Sequence, residues 1–99
     1  MIKHIVLFQL KSFDSENLKA AKIEEIKKGL LALDDKIDAL LSIEVGVNCN
    51  PNEQFDIALT TTFNNMEDLE IYAKHPDHLA VGKIIREVLE ARSCVDFEY

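Results

Sequence analysis

The stretch Ile2–Leu10, IKHIVLFQL, constrains the fold of this chain more than any other. One parity of the run gives Ile2, His4, Val6, Phe8 and Leu10; the other gives Lys3, Ile5, Leu7 and Gln9. Branched and aromatic residues at period two make a β-strand, here nearly all apolar on one face and half apolar on the other. A strand that is apolar on both faces must be covered on both. The chain therefore has to supply two covers for its first element.

The first cover is legible downstream. Asp14 or Ser15 suits a helix N-cap, with Glu16 placed against the helix dipole. Ile23, Ile26, Leu30, Leu33 and Ile37 then follow at 3-4-3-4 spacing and form one apolar stripe, while lysines and glutamates fill the opposite side. That pattern fits a helix lying on a sheet, with LDDKIDAL as its broken final turn. Ile43, Val45 and Val47 alternate with polar residues and predict a half-buried strand. NCNPNEQ is a turn-forming cluster, and a third strand is expected from Phe55 to Phe63. Asn64 or Asn65 caps a short helix with Leu69, Tyr72 and Ala73 on its inward side. Pro76 cannot continue that helix, so a new one follows, with Leu79, Val81, Ile84, Ile85, Val88 and Leu89 on its apolar side. SCVDFEY closes the chain as a strand.

Strand, helix, strand, strand, helix pair, strand is the split βαβ order of ferredoxin-like α+β folds: four antiparallel strands with helices on one face. Residues 1–99 are expected to form one domain, because chains this short rarely divide. The second cover is then missing, since Ile5, Leu7, Ala58, Thr60 and Thr62 lie on the face that no helix reaches. A second copy of the chain pressing its own sheet there is the simplest remedy, so a homodimer is expected.

Composition removes several functional classes. A net charge of -7 disfavours nucleic acid, whose phosphates are met by Lys and Arg. The apolar run at the N-terminus is too short for a membrane span, and no small-residue cleavage site follows it. Cys49 and Cys94 form no Cys-x-x-Cys pair and read as reduced thiols of a cytoplasmic protein. The three glycines, Gly29, Gly46 and Gly82, are scattered, so no phosphate loop exists, and no cofactor is expected.

Chemistry concentrates in YAKHPDH, Tyr72–His78. On one unbroken helix Tyr72 and His78 would diverge, because six residues turn the helix by about 600°. The break at Pro76 lets both point into one hollow, and His4, on the apolar parity of the first strand, can join them. A phenol beside imidazoles suits proton transfer near neutral pH, with neutral His as base and Tyr as hydrogen-bond donor. The bland alternative is that His75 and His78 cap helices and Tyr72 fills core. His75 and His78 also make an H-x-x-H pair, but the proline between them spoils its regularity and no third ligand has an obvious spacing, so no metal site is expected. Cys94 lacks a partner that would make it a nucleophile.

IKHIVLFQLK, IEVGVN, FDIALTTTF, DLEIYAKHPDHLAV and VDFEY together resemble the stress-responsive A/B-barrel (Dabb) family over nearly the whole chain. The resemblance implies a dimer in which two ferredoxin-like sheets face each other as an α+β barrel. It also implies, by likeness to the olivetolic acid cyclase type of polyketide cyclase, that Tyr72 and His78 form an acid/base pair for an aldol closure and that His4 is the strand histidine. A further pocket histidine of that branch falls at Ile57 here, which predicts a drier pocket.

The resulting expectation is a small homodimeric protein with an apolar pocket for a carbonyl compound. His78 would abstract a proton, Tyr72 would hydrogen-bond the developing oxyanion, and His4, Phe8, Ile57, Phe63 and His75 would contact the ligand. A non-catalytic ligand-binding or structural dimer is the alternative, with a cofactor-independent monooxygenase as the third.

Overall fold

The computed structural model describes all of residues 1–99. Ile2–Leu10 forms β1, and Ile2, Val6, Phe8 and Leu10 are buried on one side of it. Ser15, in extended backbone, caps α1 (Glu16–Leu31) by accepting the Leu18 amide at 3.1 Å. Such caps stabilise a helix by about 1 kcal/mol. Ile26 and Leu30 press onto the sheet, and the expected broken final turn is a 3-10 turn, Ala32–Asp35, that buries Leu33. Then come β2 (Ser42–Val47), β3 (Ile57–Phe63), α2 (Met66–Lys74), α3 (Pro76–Val88) and β4 (Leu89–Glu98).

The sheet order is β2-β3-β1-β4 with every neighbouring pair antiparallel, which is the ferredoxin-like arrangement. All three helices lie on one face. Between helices and sheet sit Val6, Ile26, Leu30, Leu33, Ile57, Leu59 and Phe63, none more than 2% exposed. Each such side chain contributes about 1.5–3 kcal/mol by leaving water. Asp56 fastens the end of β1: its carboxylate accepts the Leu10 amide at 2.8 Å and pairs with Lys19 of α1 at 2.9 Å.

Two boundaries differ from the sequence reading. β3 starts at Ile57 rather than Phe55, because ladder pairing with β1 ends at Phe8–Ile57. β4 starts at Leu89, which the apolar stripe had assigned to the preceding helix. Pairing along nearly the whole of β1 outweighs the helical preference of Leu-Glu-Ala-Arg. The ladder breaks register once, pairing Gln9 with Ala91 and Leu10 with Leu89, so that Glu90 is stepped over.

The remaining face carries no helix. Ile5 pairs with Val95, Lys3 with Phe97 and Leu7 with Ser93 across β1 and β4. Val95 and Phe97 are 54% and 42% exposed, beside half-buried Ile5, Leu7, Ala58 and Thr60. No helix is long and apolar enough to cross a membrane.

Candidate active site

The helix break builds the site. His75 closes α2 and opens α3 with extended backbone, φ -63° and ψ 136°, the conformation a residue before proline prefers. Pro76 occupies the first turn of α3, where its missing N–H costs nothing. His75 Nδ1 accepts the Asp77 amide at 3.1 Å. The same atom lies 3.7 Å from the Asp77 carboxylate, but a nitrogen that accepts from an amide has no proton to give, so the shorter contact is the bond.

Tyr72, in the last turn of α2, is 1% exposed. Its ring centroid stands 4.4 Å from that of His78, 5.1 Å from Phe63 and 6.5 Å from His4. The hydroxyl is buried and has no hydrogen-bond partner. Burial pushes its pKa up to about 12, so it stays protonated and remains a donor.

His78 sits in the first turn of α3, half-buried. Its Nδ1 lies 3.0 Å from the Ala73 carbonyl oxygen, which only accepts. Nδ1 therefore carries the proton, leaving the Nε2 lone pair free in the neutral ring. Burial holds the His78 pKa below its ordinary value of 6.5, against the opposing pull of the Ala73 bond, with His4, Arg86 and Arg92 adding repulsion. The imidazole is a neutral base at pH 7.

His4 is fixed in the same manner. Its Nδ1 donates to the Asp96 carboxylate on the neighbouring strand, which orients the ring and leaves Nε2 uncommitted to that bond. Cys94 Sγ lies 3.5 Å from that Nδ1 and 3.7 Å from Asp96 Oδ1. The thiol has partners after all, but they do not activate it: burial first, then the Asp96 charge, raises its pKa and disfavours thiolate. The donor atoms of His4, Cys94 and Asp96 lie within 4.8 Å of one another, a set that zinc accepts by type. The His4–Asp96 bond occupies the atoms a metal would need, and the raised thiol opposes metal binding further.

A cavity of about 370 Å³ opens between α3, the end of α2 and the β1–β4 half of the sheet. His4, Phe8 and His78 line it, with Val6, Leu30 and Leu59 as floor. Three expected ligand contacts do not. Ile57 and Phe63 point from β3 into the packed core at 2% and 0% exposure. His75 is turned to its own helix end by the Asp77 amide. Tyr72 stands behind His78 rather than in the lining. A second hollow of about 440 Å³ at the β2–β3 end, bordered by Leu7, Gly46, Cys49, Phe55, Ala58 and the edge of Ile57, holds no acid/base pair.

Sequence reasoning missed Asp96, Arg86 and Arg92, the latter two also lining the cavity. One signal was available. On β4 the apolar parity, Val95 and Phe97, faces the bare side of the sheet, so the polar parity, Arg92, Cys94 and Asp96, faces the helices. The usual rule of apolar residues inward is inverted on this strand.

The Stress responsive A/B Barrel Domain family matches residues 2–99. A stress-response A/B barrel domain-containing protein of Arabidopsis thaliana is 28% identical over 101 residues, covering 98% of this chain and 46% of that protein. The chain thus spans about half the length of this curated relative. A dimeric protein of unknown function and ferredoxin-like fold from Bacteroides fragilis superposes with TM-score 0.94 at 44% identity, over 99% of this chain and 95% of the other. A dimeric ferredoxin-like protein of unknown function from Thermobifida fusca gives 0.84 at 25%, over 99% and 90%. The hydroxynitrile lyase of Passiflora edulis gives 0.80 at 20%, over 97% and 90%, a likeness of fold and not of reaction. With nearly every residue matched and the sheet order in agreement, the chain belongs to the stress-responsive A/B barrel domain family.

Proposed function

We propose that the protein is a homodimer that performs cofactor-free acid/base chemistry on a carbonyl compound held between helices and sheet. The observation that carries this reading is the Tyr72–His78 pair: a neutral imidazole with its free nitrogen fixed by the Ala73 bond, packed at a tilt against a phenol whose hydroxyl has no internal partner. Buried hydroxyls are nearly always satisfied, so an unsatisfied one beside a base and a cavity suggests a donor kept for a ligand.

In this reading His78 Nε2 removes a proton from the carbon beside a carbonyl. The C–H pair moves into an enolate whose oxygen accepts a hydrogen bond from Tyr72. The enolate carbon then attacks a second carbonyl of the same molecule, and the imidazolium returns its proton to the alkoxide formed. His4, held by Asp96, offers its second ring nitrogen in the cavity for orienting the substrate.

The dimer is supported by the exposed apolar row on the bare sheet face and by the Bacteroides relative, described as dimeric. A non-catalytic ligand-binding dimer is the second reading, favoured by the position of Tyr72 behind the cavity lining.

The test is hydrogen–deuterium exchange at the central carbon of cyclic and acyclic β-dicarbonyl compounds, followed by proton NMR. The protein should accelerate exchange above buffer, and His78→Ala should remove roughly 10²–10⁴-fold of that acceleration. Exchange no faster than in buffer, or unchanged in the variant, would leave the non-catalytic reading standing.

A further inference from the structure

The chain has two arginines, Arg86 in the last turn of α3 and Arg92 on β4, and both line the cavity. Its nine lysines lie elsewhere. Two elements from opposite sides thus bring the only guanidinium groups to one opening, although acidic residues outnumber basic ones by 18 to 11. Neither arginine has a carboxylate within ion-pair reach; the five ion pairs are made by His4, Lys19, Lys22, Lys74 and His75. Asp96, the acid on the same face of β4, is already taken by His4. The two charges also bear on His78, holding it further towards the neutral form.

Room has been left for one of them. A Cβ on Gly82, one turn before Arg86, would stand 3.2 Å from the Arg86 guanidinium. The side chain therefore folds back along α3 over a glycine. Glycine inside a helix costs about 1 kcal/mol relative to alanine, a cost that a freely solvated arginine would not require.

We propose that the cavity takes an amphiphilic carboxylic acid, its carboxylate held by Arg86 and Arg92 at the mouth and its apolar body against Val6, Phe8, Leu30 and Leu59. Guanidinium forks match the two oxygens of a planar carboxylate. A phosphate is a poorer fit, because the chain offers no glycine-rich run of amides to cradle it. A cavity of about 370 Å³ is at the small end for ligands, which fits a compact aryl or short alkyl acid. The assignment names a substrate class for the acid/base site and rests on that reading only for the ligand's fate, not for its binding.

The test compares 3-phenylpropanoate with its uncharged isostere 3-phenylpropanamide, and with phenyl phosphate, by calorimetric titration of the intact protein. At low salt, where screening is weak, the acid should bind at least ~10-fold more tightly than the amide, a difference of about 1.4 kcal/mol. The preference should shrink as salt is raised and vanish in Arg86→Gln with Arg92→Gln. Both side chains are exposed, so the double variant should keep its melting temperature; if it does not fold, Arg92→Lys serves, retaining charge while losing the fork and part of the preference. Equal binding of acid and amide, a preference unchanged in the variants, or tighter binding of phenyl phosphate overturns the proposal. Acid preference without carbon–deuterium exchange keeps the clamp and removes the chemistry; exchange without acid preference does the reverse.

Discussion

Replacing Tyr72 by phenylalanine removes one oxygen and keeps the ring that packs on Phe63 and His78. In most proteins a buried tyrosine loses stability on this change, because the hydroxyl had a partner. Here the hydroxyl is buried and unpartnered, so the folded state carries its desolvation cost uncompensated, roughly 1–3 kcal/mol. Tyr72→Phe should therefore stabilise the protein, by about 1 kcal/mol at the conservative end. In a domain of this size that is a rise in melting temperature of about 4–8 °C. The measurement is differential scanning calorimetry at matched protein concentration, since association makes the midpoint concentration-dependent. Carbon-acid exchange should fall in the same variant, giving a protein that is more stable and less active. Tyr72→Ala is the control: losing the ring should cost roughly 3–5 kcal/mol. A melting temperature that drops in Tyr72→Phe would mean that the hydroxyl is bonded within the fold, and the case for a donor reserved for a ligand would collapse.

Lowering the pH should destabilise the fold through His78. Its folded pKa lies below the ordinary 6.5, so between those values the unfolded chain binds the extra proton. Stability is complete above about pH 6.5 and falls beneath it; the urea midpoint should drop less steeply with acid in His78→Gln, and an identical slope would exclude His78 as the cause. At the other extreme Tyr72, raised to about 12 in the fold, should cost stability as pH climbs past about 10, where the unfolded phenol ionises first, and Tyr72→Phe should lack this loss. Gly82→Ala should raise the melting temperature, by about 1 kcal/mol of helix propensity, while pushing the Arg86 guanidinium aside and weakening binding of 3-phenylpropanoate; unchanged affinity would detach Arg86 from the ligand. Val95→Asp with Phe97→Asp places two charges on the bare sheet face and should yield monomers in sedimentation at micromolar concentration, whereas an unaltered dimer would mean that association uses another surface.

The fold was legible because its signals are periodic. The two parities of Ile2–Leu10 and the stripe from Ile23 to Ile37 each repeat often enough to specify an element and the face it buries. The site depends on single contacts, and these are not periodic. Tyr72 and His78 stood out because Pro76 breaks a helix between them. Asp96 could not be paired with His4 from sequence, since that contact depends on a strand register joining residues at opposite ends of the chain. Ile57 was drawn into the expected pocket by the family resemblance, and Phe63 with it; both sit on the helix-side parity of β3, but parity does not say how far along the sheet the helices pack. Leu89 was misassigned because a leucine at helix spacing says nothing about a β1 edge waiting to be paired.

The irregularity that steps over Glu90 has an evolutionary consequence. It sets the phase of everything after it: Arg92, Cys94 and Asp96 fall on the helix side, where Arg92 lines the cavity, and Ser93, Val95 and Phe97 on the bare face. A one-residue slip in a strand exchanges its two faces. Were the ladder to run straight through, with Glu90 opposite Gln9, Val95 and Phe97 would replace the guanidinium and carboxylate on the helix side, and charge would appear on the bare face. The proposed ligand clamp and the proposed docking face thus depend on one register of β4. Lineages can change either face by point substitution, whereas loss of Glu90 itself would straighten the ladder and leave both faces of β4 as they are.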